Sequence, residues 1–182
     1  MKVLIDACVL YPTVMREMVI GAAKEGFFTP LWSPRILEEW ARAAGKLGPD
    51  QDTVARAEIA LLRDRWPNAS VLPNDGDLRR LWLPDENDIH VLAAAIAGHA
   101  DVLLTTNNAD FPRHTLAEEG LRRESPDPFL CAFLDENPDG ICRVAARVLT
   151  QACTLSGEDW TIRRLMKKAR LPRLGKALET RL

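Results

Sequence analysis

Several residue types and motifs are scarce in this chain, and each scarcity removes a class of function. Among 182 residues there are three histidines, four cysteines and one tyrosine. The cysteines, Cys8, Cys131, Cys142 and Cys153, form no C-x-x-C pair and no dense spacing. That argues against a zinc ribbon or a disulfide scaffold, and reduced thiols are expected. No apolar run approaches the ~20 residues of a membrane helix, so no membrane association is expected. Met1 to Asp6 puts a carboxylate where the apolar core of an export signal would lie. No export signal is therefore expected, and the expected location is cytoplasmic. The chain has no G-x-S-x-G elbow, no G-x-x-x-x-G-K-[ST] loop and no G-x-G-x-x-G turn. Serine-hydrolase, P-loop and dinucleotide chemistry lose their sequence support with them. There is no internal repeat and no low-complexity tract.

What is present suits a soluble globular protein: 47% hydrophobic and 27% charged residues, with a net charge of −2. The length accommodates one α/β domain and a small appendage. Charge is uneven along the chain. From Trp160 onward the bases Arg163, Arg164, Lys167, Lys168, Arg170, Arg173, Lys176 and Arg181 face a single acid, Glu179. Such a tail suits a phosphate or an acidic partner, or is simply a solvated helix face.

The stretch from Leu83 to Ala97 organises the rest. Asp85 and Asp88 sit at N-cap and first-turn positions, where carboxylates meet the positive end of the helix dipole. Ile89, Leu92, Ala93 and Ile96 then recur at the spacing of one buried helical face. A strand, Asp101 to Thr105, follows and ends in Thr106-Asn107-Asn108-Ala109-Asp110-Phe111-Pro112.

Other elements are legible in order. Lys2 to Ile5 reads as a buried strand ended by Asp6, which is either an N-cap or a ligand at the strand's carboxyl end. Thr13 to Lys24 reads as a helix and Phe27 to Leu31 as a strand. Ser33-Pro34 starts a helix to about Leu47. On it Glu38 and Glu39 point about 100° apart, so one of them at most faces a site at the sheet edge. Gln51 to Trp66 reads as a helix, Ser70 to Leu72 as a short edge strand, and Pro73 to Asp77 as a turn. Leu116 to Arg122 is a short helix or an irregular connection. After Ser125-Pro126-Asp127-Pro128 the chain reads as helices over 129–134, 140–153 and 158–169. Ser156 to Asp159 resembles a capping box, and Leu171-Pro172 closes the last long helix. Of the histidines, His90 is expected on the helix surface and His99 at that helix's end, where the dipole favours a cation. His114 would meet a nucleic acid only if the loop before it does.

The acids Asp6, Glu39, Asp88 and Asp110 come from separate elements, and gathering them requires a cation to offset their repulsion. Carboxylate oxygens suit Mg²⁺ or Mn²⁺, which activate water and neutralise phosphodiester charge.

Four segments carry a resemblance: Val3 to Leu10, Ser33 to Trp40, Asp85 to Asp88 with its alanine-rich helix, and Leu104 to Pro112. Together they resemble the PIN-domain nucleases, most closely the VapC-type toxins of bacterial toxin–antitoxin modules, over about residues 1–125. The resemblance implies a three-layer α/β/α domain with a central parallel sheet over 1–125, and a helical C-terminal extension over 126–182. It implies metal ligands and catalytic acids at Asp6, Glu39 and Asp88, with Asp85 as a helper. Asp110 or Asn107 takes the fourth position, and an Asn there would leave a neutral oxygen ligand that weakens a second metal site. Cys8 stands where many members have Asn or Ser, and a small cysteine there is expected to pack rather than react. The implied activity is Mg²⁺- or Mn²⁺-dependent hydrolysis of RNA to a 5′-phosphate and a 3′-hydroxyl. The implied partners are an RNA substrate, a cognate antitoxin reaching the acidic cleft, and a second copy in a homodimer. Arg163, Arg164, Lys167 and Lys168 are the expected RNA contacts on the extension.

Two other classes stay open at this level: an inactive PIN-fold module that binds RNA or protein, favoured by Asn107, and a phosphatase or phosphotransferase. Dehalogenase-type phosphatase chemistry would want an acid two residues after Asp6, where Cys8 stands.

Overall fold

Lys2-Val3-Leu4-Ile5 folds as strand β1 (Lys2–Ile5), and its three apolar residues are completely buried. The computed structural model describes the backbone of residues 1–182 and every side chain but that of Pro49. Strands β2 (Thr29–Leu31), β3 (Val102–Leu104) and β4 (Arg122–Glu124) join β1 in one parallel sheet, ordered β2-β1-β3-β4. Leu4 lies opposite Leu31 on one side and Leu103 on the other. Val102, Leu103 and Leu104 are also fully buried, so both central strands are covered on both faces. That is why each reads as an unbroken apolar run rather than an alternation. The chain leaves β1 for one side of the sheet and later returns to β3 on the other. The carboxyl ends of β1 and β3 therefore border the topological switch point, where open α/β sheets bind ligands.

Helices follow the strands in order: α1 (Ala7–Leu10), α2 (Thr13–Lys24), α3 (Pro34–Gly45), α4 (Pro49–Arg65), α5 (Asp75–Arg80), α6 (Ile89–Ala97) and α7 (Arg113–Glu118). After β4 come α8 (Pro126–Glu136), α9 (Pro138–Ser156), α10 (Ile162–Lys168) and α11 (Pro172–Leu178). The architecture is thus α/β, a parallel sheet flanked by helices, with helices at the C-terminal end. The chain forms two compact units: Met1–Tyr11 with Thr29–Glu124, and Pro12–Phe28 with Ser125–Leu182. The second unit begins again at Ser125, beside the sequence-based boundary, and takes α2 as well.

In the first unit, α6 packs on β1 and β3. It is buried all round from His90 to Ala95 rather than along one face, with Ile89 and Ile96 half-buried. Three consecutive alanines make this possible, because small side chains let neighbours approach every face. Three other expectations change here. Pro73 to Asp77 is the entry to α5, with Asn74 at its N-cap, rather than a free turn. Ser70 makes a single bridge to Trp32 instead of a strand. Strand β4 carries no apolar signal, since Arg122-Arg123-Glu124 pairs on one edge only, through its backbone to β3.

In the second unit, α2 packs against α9 at Gly21, where a Cβ would collide with Val144. Phe27, Phe28, Phe129 and Phe133 form an aromatic cluster, with Phe129 and Phe133 centroids 4.7 Å apart edge-to-face. Helix α9 ends on Gly157 at φ 69°, the left-handed position that favours glycine. Ser156 does not start a capping box: its hydroxyl takes the N–H of Glu158 and the Trp160 indole, and Thr161 caps α10. Helix α10 ends at Lys168, ahead of Leu171-Pro172 as expected, but Pro172 also opens a further helix. It sits at the first position of α11, where it lacks nothing the helix needs. The open N–H groups of that helix, Arg173 and Leu174, donate to the carboxylate of buried Asp127 on α8, at 3.0 and 2.9 Å. Asp127 thus caps from 46 residues away in sequence what Leu171 cannot cap locally. Asp127→Ala is expected to lower stability by about 1–2 kcal/mol in urea unfolding, with Asp127→Asn intermediate.

Candidate metal centre

Asp6 occupies the N-cap position of α1 by backbone, but its side chain makes no capping bond. Its Oδ2 instead accepts from Thr105 Oγ1 at 2.7 Å and from Cys8 Sγ at 3.0 Å. Of the two roles open to Asp6, the side chain is therefore turned to β3 rather than spent on the helix. Burial, then the Asp6 charge, pushes the Cys8 thiol up to about 11, so Cys8 stays a neutral donor. Thr105 Oγ1 also accepts the Asn107 backbone N–H at 3.0 Å. The ends of β1 and β3 are joined by this short chain of hydrogen bonds.

Asn107 carries the chain onward. Its side-chain amide donates to Asp88 Oδ2 at 3.1 Å and to Asp110 Oδ2 at 2.7 Å. Asp85 caps the 3-10 turn Glu86–Asp88, accepting from the Asn87 backbone and side chain at 2.9 and 3.0 Å. Asp88 makes no cap bond, which leaves its carboxylate to the cluster. Asp85, Asp88 and Asp110 each offer an oxygen, and the three lie within 4.8 Å of one another. The Asp88 carboxyl is pushed up to about 6, first by burial, then by the charges of Asp6, Asp85 and Asp110, with His90 pulling the other way. Asp6 is therefore close enough to be felt by Asp88, although outside that tight triplet.

The loop bearing Asn107 and Asp110 is held from two sides. Phe111 is completely buried. Arg123 on β4 donates from Nη1 to the carbonyls of Asn108 and Phe111, at 2.7 and 2.8 Å. Arg123 had no signal in the sequence, because a lone arginine in a polar stretch looks like surface.

Glu38 and Glu39 separate as their angular offset requires. Ser33 Oγ accepts the Ile36 N–H at 3.1 Å and Pro34 opens α3, while Ile36, Leu37 and Trp40 bury one stripe. Glu38 turns to Arg42 and to Arg56 of α4, each at 3.0 Å. Glu39 turns to the start of α6, where His90 Nε2 lies 3.0 Å from its Oε1. Burial works to raise the Glu39 carboxyl, but the hydrogen bonds and charges of His90 and Arg35 outweigh it and hold the group below its ordinary value. Glu39 is linked to the cluster through His90, two residues beyond Asp88, and is not one of the three clustered carboxylates. His90 corrects the expectation of a surface histidine: it is 4% exposed. The imidazole is buried because α6 is buried on every side, which a one-face reading of the helix misses.

The bases expected to contact RNA lie on α10, all exposed. Arg163 pairs with Glu179 at 2.8 Å. The Arg164 guanidinium and the Lys168 ammonium lie 5.3 and 4.7 Å from the Trp160 ring centroid.

A family model described as PIN domain matches residues 2–109. The chain belongs to the PIN domain family. PIN domains are typically metal-dependent nucleases, and the match covers Asp6, Glu39, Asp85, Asp88 and Asn107, while Asp110 falls just past its end. No curated protein and no solved structure matches the chain. Among the described residues, no helix is long and apolar enough to cross a membrane. The donor set of this PIN domain fits a hard divalent cation: carboxylate oxygens converge, and the Asp88 carboxyl is raised by burial first and then by the acids gathered around it.

The upward shift of Asp88 has a definite sign for stability. In chelator the folded protein holds the Asp88 proton up to about pH 6, whereas an unfolded carboxyl releases it near its ordinary value of 3.8. Folding stability from this group therefore falls as pH rises between those values. Asp88→Asn is expected to unfold at a higher temperature than the parent at about pH 7.5 in chelator, with the difference vanishing below about pH 4. Added Mn²⁺ is expected to raise the parent's melting temperature and to leave that of Asp88→Asn nearly unmoved, by differential scanning fluorimetry.

Proposed function

We propose that this PIN-domain protein is a metal-dependent endoribonuclease and the toxin of a type II toxin–antitoxin module. The observation that carries the nuclease reading is the convergence of Asp85, Asp88 and Asp110, with Asp6 beside them, at the switch point of the sheet. When bound, Mg²⁺ or Mn²⁺ supplies charge neutralisation at the phosphodiester and lowers the pKa of the attacking water.

The protein's own groups divide the remaining work. Asp85, Asp88 and Asp110, with Asp6 beside them, would hold the ion. Glu39 would complete the ligand set, and from that position would orient the attacking water and accept its proton. Thr105 and Asn107 keep Asp6, Asp88 and Asp110 in register through the hydrogen bonds they make now. Asn107 can exchange its donating nitrogen for its oxygen by a half-turn of the amide, so the same side chain could also turn an oxygen toward a cation. As the water oxygen bonds to phosphorus the P–O3′ bond breaks, and the leaving 3′-oxygen takes a proton from solvent, giving a 5′-phosphate and a 3′-hydroxyl.

The toxin assignment rests on the likeness to VapC-type toxins. With it come a homodimer, a cytoplasmic location, and an antitoxin whose basic residue pairs with the cleft carboxylates. Exposed Arg164, Lys167 and Lys168 contact RNA phosphates, and Arg163 joins them on leaving Glu179.

A second reading, a PIN-fold module that binds without cutting, is favoured by Asn107, which bridges Asp88 and Asp110 as a neutral group. Cleavage of total RNA separates the two. The parent is expected to cut with Mn²⁺ or Mg²⁺, and Asp6→Asn and Asp88→Asn to lose about 100-fold or more in rate. Binding without any cleavage under either metal supports the second reading. Replacing Arg163, Arg164, Lys167 and Lys168 with glutamine is expected to weaken RNA binding. The slope of log affinity against log salt concentration is expected to flatten by about 0.7 for each phosphate no longer neutralised.

A further inference from the structure

We propose that His90 is a positioning residue for Glu39, fixing which of its two carboxylate oxygens is presented to the metal centre. The inference rests on the reading that Glu39 serves that centre.

Both donors to Glu39 reach the same atom. His90 Nε2 and Arg35 Nε each lie 3.0 Å from Oε1. Oε2 accepts no hydrogen bond from any described residue, so it is the oxygen left for a ligand or a water. The two donors are unequal. The Arg35 side chain is 57% exposed and that of His90 is 4% exposed. A solvated arginine exchanges its partner for water at little cost, whereas a buried imidazole holds one geometry.

The ring nitrogen facing a carboxylate must carry a proton, because two lone pairs would repel, so Nε2–H is the donor. Nδ1 is buried and has no partner among the described residues. An imidazole with one orphaned nitrogen is a costly way to fill apolar space, so packing alone does not account for it. The bond to Glu39 does.

The placement adds a second consequence. His90 lies two residues after Asp88 at the start of α6, and Arg35 Nη2 also reaches the Asn87 carbonyl at 3.4 Å. The start of α6 therefore sets the positions of Asp88 and of Glu39 together. An outer hydrogen-bond partner of this kind typically changes metal affinity by about 10–100-fold when removed.

The test titrates metal-free protein with Mn²⁺ alone by calorimetry, and follows RNA cleavage in parallel. In His90→Gln the longer amide places its nitrogen near the former Nε2. In His90→Asn the shorter amide reaches only the Nδ1 position. His90→Gln is expected to bind Mn²⁺ within about threefold of the parent, and His90→Asn about tenfold more weakly, with kcat falling and KM for RNA unchanged. Equal behaviour of the two variants, whether both intact or both impaired, overturns the proposal. Glu39→Gln separates the two levels of inference. If it weakens Mn²⁺ binding while both His90 variants match the parent, the positioning role alone fails. If Glu39→Gln binds Mn²⁺ like the parent, the role given to Glu39 fails and this proposal fails with it.

Discussion

Carboxylates at the ends of β1 and β3 repel one another, and the site is built around containing that repulsion. Asp6 is relieved by the hydroxyl of Thr105 and the thiol of Cys8, Asp88 and Asp110 by one shared amide, and Asp85 by a turn backbone and its own neighbour Asn87. All of these are neutral donors. They lower the cost of gathering acids without cancelling the charge, and the Asp88 carboxyl stays raised, by burial first and then by the neighbouring charges. A divalent cation is the natural complement.

The rest of the first unit serves to hold these groups still. A parallel sheet buried on both faces fixes the ends of β1 and β3 relative to each other through Leu4 and Leu103. The alanine-rich α6 lies close on those strands, so the 3-10 turn leading into it brings Asp85 and Asp88 to the same edge. Arg123 and Phe111 clamp the loop with Asn107 and Asp110. Arg123 comes from the least apolar strand of the sheet, so an edge strand of low sequence signal still contributes to the site.

Much of the candidate site was legible because its residues follow strong local signals. Asp6 ends an apolar run, Asp85 and Asp88 precede one, and Ser33-Pro34 marks the helix that carries Glu39. What was missed has a common cause. His90, Arg123 and Asp127 are single polar residues whose partners lie far away in the chain, and nothing beside them in sequence announces the pairing. Strand β4 and helix α11 were missed for a related reason: one is stabilised by its neighbour strand, the other by Asp127 from α8.

By itself the sequence determined the class of fold, the order of its main strands and helices, and the acidic residue types, since apolar periodicity and cap chemistry act over a few neighbouring residues. Tertiary structure alone decided which acids cluster, that Glu39 rather than Glu38 faces His90, and that Asn107 bridges Asp88 and Asp110. Those outcomes depend on distances between segments far apart in the chain, which are set by how sheet and helices pack and not by any local preference.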